Sequence, residues 1–508
     1  MSEFWSNALL NSLVVTVGVT LLSCVVGVPL AWLMERTDLP GARWLDRLVS
    51  FPYVLPSYLL AISWIVLANP AVGWLNLLAQ QLLGLEKPFN IYGLGGIIFI
   101  ETTALMPIVY LSYKAGLSQL SPSLEEAARL AGASPWQIFL RITTPILKNT
   151  LLAALISIFL ASLASFGVPA MIGGPGRVFV LTTGLYSLVK QGSLDSLAQS
   201  FLIATYMAGF ALLFVLLTQR LSSKKSSAMG GATSRPSLVG LGAWRYPLSA
   251  FVWSFWLLFV GMPLLALVLS SFQLNPGELS LSSFGLRQWG YVLFDLPDFR
   301  RAITNSLMVA TLSALFILLL SLAVALSSWK GHHSRSRSRY FVRTVDALSA
   351  LAYSTPGTVL ALILLFLFAK LPGLGLANTL TALVLACSIK YLLLGIKTVE
   401  PAAFLVHPSL VEAARLSGAS APQRVLLIWM PLLKRALWAA GILVFMPVLS
   451  ELTMSILLHG PGTETLGVLL FQLQEYADRT SAAVIGTMLL ASLFLFDFIV
   501  RRKPTHES

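Results

Sequence analysis

The chain alternates long apolar runs with short polar ones. Eleven stretches, about 9–33, 50–69, 92–113, 146–167, 196–218, 247–270, 302–328, 347–369, 374–396, 436–458 and 480–500, are mostly apolar. Each approaches the roughly 20 residues that a helix needs to cross a bilayer. Backbone groups in lipid must be bonded within their own segment, so the pattern predicts helices. Nowhere does it show the ten-residue alternation of a membrane barrel. The first stretch lacks a basic leader and outruns a signal-peptide core, so it reads as a span rather than a cleaved signal. The expected fold class is all-α integral membrane.

Composition agrees. Of 508 residues, 56% are hydrophobic and 11% are charged, against about 25% charged in soluble domains. The net charge of +13 raises nucleic acid as a partner, but its distribution points elsewhere. If segment 114–145 faces the cytoplasm, alternation puts 34–49, 219–246, 329–346, 397–435 and 501–508 there too. With Lys148 at the cytoplasmic end of its span, that side holds 25 of the 34 Lys and Arg, the other holds 8, and Lys390 lies inside a span. This is the positive-inside bias, with the N-terminus outside and the C-terminus inside. The densest basic run, Lys330–Arg339, reads as an anchor at anionic membrane lipid, and no nucleic-acid role is expected. Cys24 and Cys387 both fall within spans, which excludes a disulfide framework. The five histidines form no ligand set, so neither a metal nor a cofactor is expected.

The chain also repeats itself. Under a shift of 286 residues, 122–148 matches 408–434 at 17 of 27 positions. The same shift carries Gly174-Pro175-Gly176 onto Gly460-Pro461-Gly462. With small changes of offset, Asn11-Ser12-Leu13 matches Asn305-Ser306-Leu307, and Pro56 matches Pro356. Two homologous repeats follow, 1–221 and 247–508, joined by a cytoplasmic linker at 222–246 rich in Ser, Gly and basic residues. They hold about five and six spans, the second beginning with an extra one at 247–270. Both repeated loops face one side, which makes this a parallel repeat.

The repeated loop has a physical grammar. Ser123 with Glu126, and Ser409 with Glu412, have capping-box spacing and predict a helix start. Gly132 and Gly418 predict left-handed helix ends. Ser134 with Gln137, and Ser420 with Gln423, predict a second helix at once. Ala127-Ala128 and Ala413-Ala414 leave a shallow surface that a partner can approach.

The pattern Glu-Ala-Ala, Gly six residues after the Glu and Pro nineteen after it resembles the EAA loop of ABC importer permeases. It stands at Glu126, Ala127, Ala128, Gly132 and Pro145, and again at Glu412, Ala413, Ala414, Gly418 and Pro431. The resemblance covers roughly 9–220 and 250–500. It implies a fused two-copy permease of the bacterial inner membrane, most like the ferric-iron branch; thiamine and phosphonate permeases are also built this way. It implies too that each loop is a coupling helix for one subunit of a separate ATPase dimer, and that a periplasmic binding protein delivers the substrate. The chain has no Gly-x-x-x-x-Gly-Lys-Ser/Thr loop, so it is not expected to be an enzyme. The alternative class is a secondary transporter driven by an ion gradient, which would place ionisable groups at the membrane midplane. Glu101 and Lys390 are the main intramembrane charges. With Met171, Glu451 and Leu457 beside the Gly-Pro-Gly segments, they are the candidate pathway residues.

Overall fold

The computed structural model describes residues 2–222, 238–278, 280–333, 338–370, 373 and 375–502. Most of the linker read at 222–246, and the middle of the basic run at 330–339, lie outside the described residues. Helix occupies all eleven apolar stretches, and among the described residues there is no strand beyond two isolated bridges. Seven helices are long and apolar enough to cross a membrane, and three bent pairs raise that to as many as ten spans. The eleventh stretch is a shorter apolar helix, Arg479–Leu495.

The first repeat runs α1 (Ser2–Arg36), α2 (Ala42–Ser50), α3 (Ser57–Ala68), α4 (Leu94–Gln119), α5 (Pro122–Leu130), α6 (Pro135–Ile138), α7 (Lys148–Leu163) and α8 (Leu194–Ser222). The extra span of the second repeat ends in α9 (Met262–Ser270). After it come α10 (Pro297–His333), α11 (Ser338–Ser354), α12 (Gly357–Lys370), α13 (Leu380–Phe404), α14 (Pro408–Leu416), α15 (Ala421–Arg424), α16 (Met430–Leu449), α17 (Ser455–Leu458) and α18 (Arg479–Arg502).

Where the apolar pattern reads one straight span, the structure twice shows a sharp bend at the repeated proline. The segments on either side of Pro56 meet at 98°, and those on either side of Pro356 at 112°. Proline pushes the preceding residue out of the helical region and cannot donate the next backbone hydrogen bond. The new helix therefore starts just after each proline. A third bend, of 73°, follows Pro145 at Leu147.

Contacts divide the chain into two compact units, and these do not follow the repeat boundary. One comprises Met1–Ser187, Leu213–Asp295 and Phe471–Ser508; the other comprises Leu188–Leu212 and Leu296–Leu470. In the first, α1 packs along α4, and α3 lies against α9 and α18. Phe51 stacks on Phe494 at 4.4 Å between ring centres. In the second, α10 packs along α13, and Phe201 of α8 meets Phe366 of α12 at 5.1 Å. Most of each repeat's last helix thus belongs to the unit that holds the other repeat's Asn-Ser-Leu helix, α10 for α8 and α1 for α18.

The repeated Asn-Ser pair has a structural job in each unit. The Asn11 side chain donates to the Phe179 carbonyl at 3.0 Å, and Ser12 Oγ accepts from the Leu181 amide at 2.8 Å. The Asn305 side chain donates to the Gly462 and Glu464 carbonyls at 3.1 and 2.9 Å, and Ser306 Oγ accepts from the Leu466 amide at 2.8 Å. The pair ties the chain that returns from each Gly-Pro-Gly turn to the N-terminal part of α1 or α10.

Candidate functional site

The loop helices α5 and α14 start two residues earlier than the Ser–Glu spacing predicts. Their first residues are Pro122 and Pro408. Proline is favoured at that position because its missing N–H would be unpaired there anyway. Ser121 and His407 are accordingly extended, at φ −61°, ψ 123° and φ −66°, ψ 136°. Ser123 and Ser409 fall inside the first turn, so neither Ser123–Glu126 nor Ser409–Glu412 is the capping box expected. At the second start the expectation holds. Ser134 with Gln137, and Ser420 with Gln423, form reciprocal capping boxes.

The C-terminal ends agree with the sequence closely. Gly132 and Gly418 sit at φ +84° and +78°, a conformation that glycine adopts without strain. The Gly132 amide donates to the Arg129 carbonyl at 2.9 Å and the Ala133 amide to the Ala128 carbonyl at 3.0 Å. Gly418 to Arg415 and Ala419 to Ala414 repeat this at 3.0 and 2.9 Å. Both ends are Schellman motifs.

The outward faces match residue for residue. Glu126, Ala127 and Gly132 are exposed, as are Glu412, Ala413 and Gly418, while Ala128 and Ala414 are half-buried. Leu130 and Leu416, related by the 286 shift, are 91% and 90% exposed. Sequence reading passed over these two leucines, although they lie inside the repeated motif.

The inward faces differ. Glu125, not the motif residue Glu126, turns inward. Its carboxylate lies 2.9 Å from Arg36 Nε at the end of α1, with side-chain exposures of 5% and 2%. Thr143 Oγ1 donates to the same carboxylate at 2.9 Å, and Arg36 also donates to the Leu117 carbonyl near the end of α4 at 2.7 Å. In the second repeat Val411 and Trp429 stand at the positions of Glu125 and Thr143. They join Trp329, near the end of α10, in one apolar cluster. Trp329 and Trp429 meet edge to face at 5.1 Å, and the Trp329 indole donates to the Val406 carbonyl at 3.1 Å.

Each loop thus carries a matching exposed face on a buried base within its own repeat. The model of the family described as "Binding-protein-dependent transport system inner membrane component" matches residues 27–227 and 317–502, so each repeat holds one copy with its own loop. The chain belongs to that family. It is a permease subunit of the inner membrane. Similar full-length proteins include the ferric transport system permease protein FbpB of Actinobacillus pleuropneumoniae, 23% identical over 96% of this chain and 70% of the relative. The Fe(3+)-transport system permease protein FbpB 2 of Haemophilus influenzae is 24% identical over 96% of this chain and 88% of the relative. The molybdenum transport system permease protein ModB of Escherichia coli K12 is 26% identical over 96% of its own length but only 43% of this chain. One such permease therefore corresponds to about one repeat, and this chain is a fused pair.

The other candidate residues of the permease lie in its spans and turns, Lys390 half-buried and the rest buried. Glu101 of α4 accepts from Ser162 Oγ of α7 at 2.6 Å. Its counterpart under the 286 shift is Cys387. Glu451, the counterpart of Ser165, accepts from the Met454 and Ser455 amides at 2.7 and 2.8 Å and from Ser455 Oγ at 2.7 Å. Each repeat therefore holds a buried carboxyl, but on a different segment. Lys390 of α13 donates to the Tyr353 carbonyl at 2.8 Å and to that of Thr355. Its ammonium sits at the bend between α11 and α12, where the helix break frees carbonyls that need a donor. Met171 and Leu457, equivalent under the shift, are both buried.

Proposed function

We propose that the permease is the membrane part of an ATP-driven importer of ferric iron. Its two loops would dock a separate pair of ATPase subunits, and a soluble binding protein would deliver the substrate from the other side. The observation that carries the docking is the paired face of α5 and α14, with Leu130 and Leu416 almost fully exposed at matching positions. Two separate stretches of chain present the same leucine beside the same Glu, Ala and Gly, as two identical partners would require. The chain has no phosphate-binding loop of its own, so hydrolysis would lie on those partners. Through Arg36, a pull on α5 reaches α1 and α4. Through the Trp329 cluster, a pull on α14 reaches α10 and α13. Differential ATPase contacts would in this way bias a two-state membrane domain.

Support for iron comes from the relatives that align along almost the whole chain, two of which are ferric permeases by name. The test is uptake in vesicles that carry the permease with its co-purified ATPase and binding protein. Radiolabelled ferric iron should accumulate with ATP and not without it. Accumulation of thiamine or molybdate in its place would overturn the substrate assignment.

A further inference from the structure

We infer that Arg36 and Glu125 are a positioning pair: they fix the angle of the first docking helix on the end of α1, a task that the second repeat gives to an apolar joint. The inference rests on the docking function proposed above. Three features of the first joint carry it. The pair is almost wholly buried, with Nε and the carboxylate 2.9 Å apart, and charge-assisted hydrogen bonds run from Thr143 to the carboxylate and from the guanidinium to the Leu117 carbonyl. Charge-assisted bonds of this kind are directional, so they specify an orientation as well as a contact.

The linker's described end also seats here. The Val239 amide donates to the Arg36 carbonyl at 2.8 Å, Val239 accepts from the Asp38 amide at 3.3 Å, and the Leu241 amide donates to Asp38 Oδ1 at 2.8 Å. The arginine that holds α5 is thus itself held by the segment that joins the repeats.

The second joint is built differently. Val411 replaces the acid, Trp429 the threonine, and both pack with Trp329 in an apolar cluster whose indole donates to the Val406 carbonyl. Apolar packing is not directional, and it tolerates changes that would strand a buried charge. The two docking helices should therefore answer differently to the same kind of change. Neutralising one member of the pair leaves its partner buried without compensation and frees α5, while α14 is untouched.

The test uses the full-length permease in nanodiscs, with a spin label on Leu130→Cys or on Leu416→Cys, both exposed sites. Glu125→Gln keeps size and hydrogen bonding but removes the charge. It should mobilise the label at 130 and leave the one at 416 unchanged, and the exchange Arg36→Glu with Glu125→Arg should restore the label at 130. In the transporter assembled with its ATPase, Glu125→Gln should lower uptake per ATP hydrolysed about tenfold, with the KM for ATP unchanged. If Glu125→Gln does not insert, Thr143→Val removes one bond to the carboxylate and should mobilise the same label to a smaller degree. A label at 130 that stays as immobile as in the wild type, in a protein that melts normally, overturns the inference. A mobilised label with unchanged uptake per ATP leaves the anchoring standing and overturns the docking function instead.

Discussion

Changing Leu130 and Leu416 together to aspartate should strip the ATPase from the permease and leave the permease folded. The two side chains are 91% and 90% exposed, and substitutions on an open surface usually alter stability by no more than about 0.5 kcal/mol. An apolar anchor in a protein–protein interface is different. Truncating a hot-spot residue costs about 2 kcal/mol or more, and a charge placed in a dry pocket adds desolvation to that. Each dock should therefore lose about 30-fold or more in affinity. Single variants should retain one ATPase on the intact loop, and the double variant should retain none. A pull-down from detergent, with membrane insertion and melting temperature as controls, measures this. If the double variant holds its ATPase at wild-type affinity, these leucines are not the anchors.

Adding bulk at Gly132 and Gly418 should uncouple rather than dissociate. Apart from the glycine's own chain neighbours, no described atom of the permease lies within 4 Å of where a Cβ would stand on either residue, so a side chain there meets chiefly what docks. The backbone nevertheless demands a left-handed residue at φ +84° and +78°. Asparagine tolerates that conformation, whereas valine costs about 1–2 kcal/mol at each site. Double asparagine thus adds bulk with the turn kept, and double valine adds bulk and strain together. Both proteins should insert, and both complexes should hydrolyse ATP. Uptake per ATP should fall about tenfold with asparagine and further with valine. Wild-type uptake with asparagine would mean that the glycines serve the turn alone. Wild-type uptake with valine would remove the loops from the mechanism.

The helices were legible because lipid imposes a coarse rule, and eleven apolar runs satisfy it. Their bends were less so. Pro56 and Pro356 stood in the repeat, yet each apolar run continued across its proline, and hydropathy alone does not register a missing backbone donor. The Asn11-Ser12 match with Asn305-Ser306 showed that something recurs, but not what, since its partners lie more than 150 residues away in the chain. The swap of the terminal helices left no trace at all: an apolar helix carries no mark of which neighbour it will meet.

At the loops the repeated motif marks an exposed face, and the spacing of Ser and Glu does not reveal the inner one. The spacing of Ser123 and Glu126 is that of a capping box. Pro122, as the true first residue, moves the start and leaves Glu126 exposed while Glu125 turns inward. A signal was present. Pro122–Leu130 and Pro408–Leu416 differ at one position of nine, where Glu125 faces Val411 across the repeat. Identity everywhere else in the helix marks a surface that must fit the same partner twice. The one difference marks the face that fits two different sockets.

The central claim is that one chain carries two equivalent docks. Native mass spectrometry of the complex purified through a tag on the permease tests it most directly. The account predicts two ATPase subunits on every permease chain, falling to one with either Leu130→Asp or Leu416→Asp and to none with both. One ATPase subunit per wild-type chain, or a wild-type permease purified without any, would contradict it.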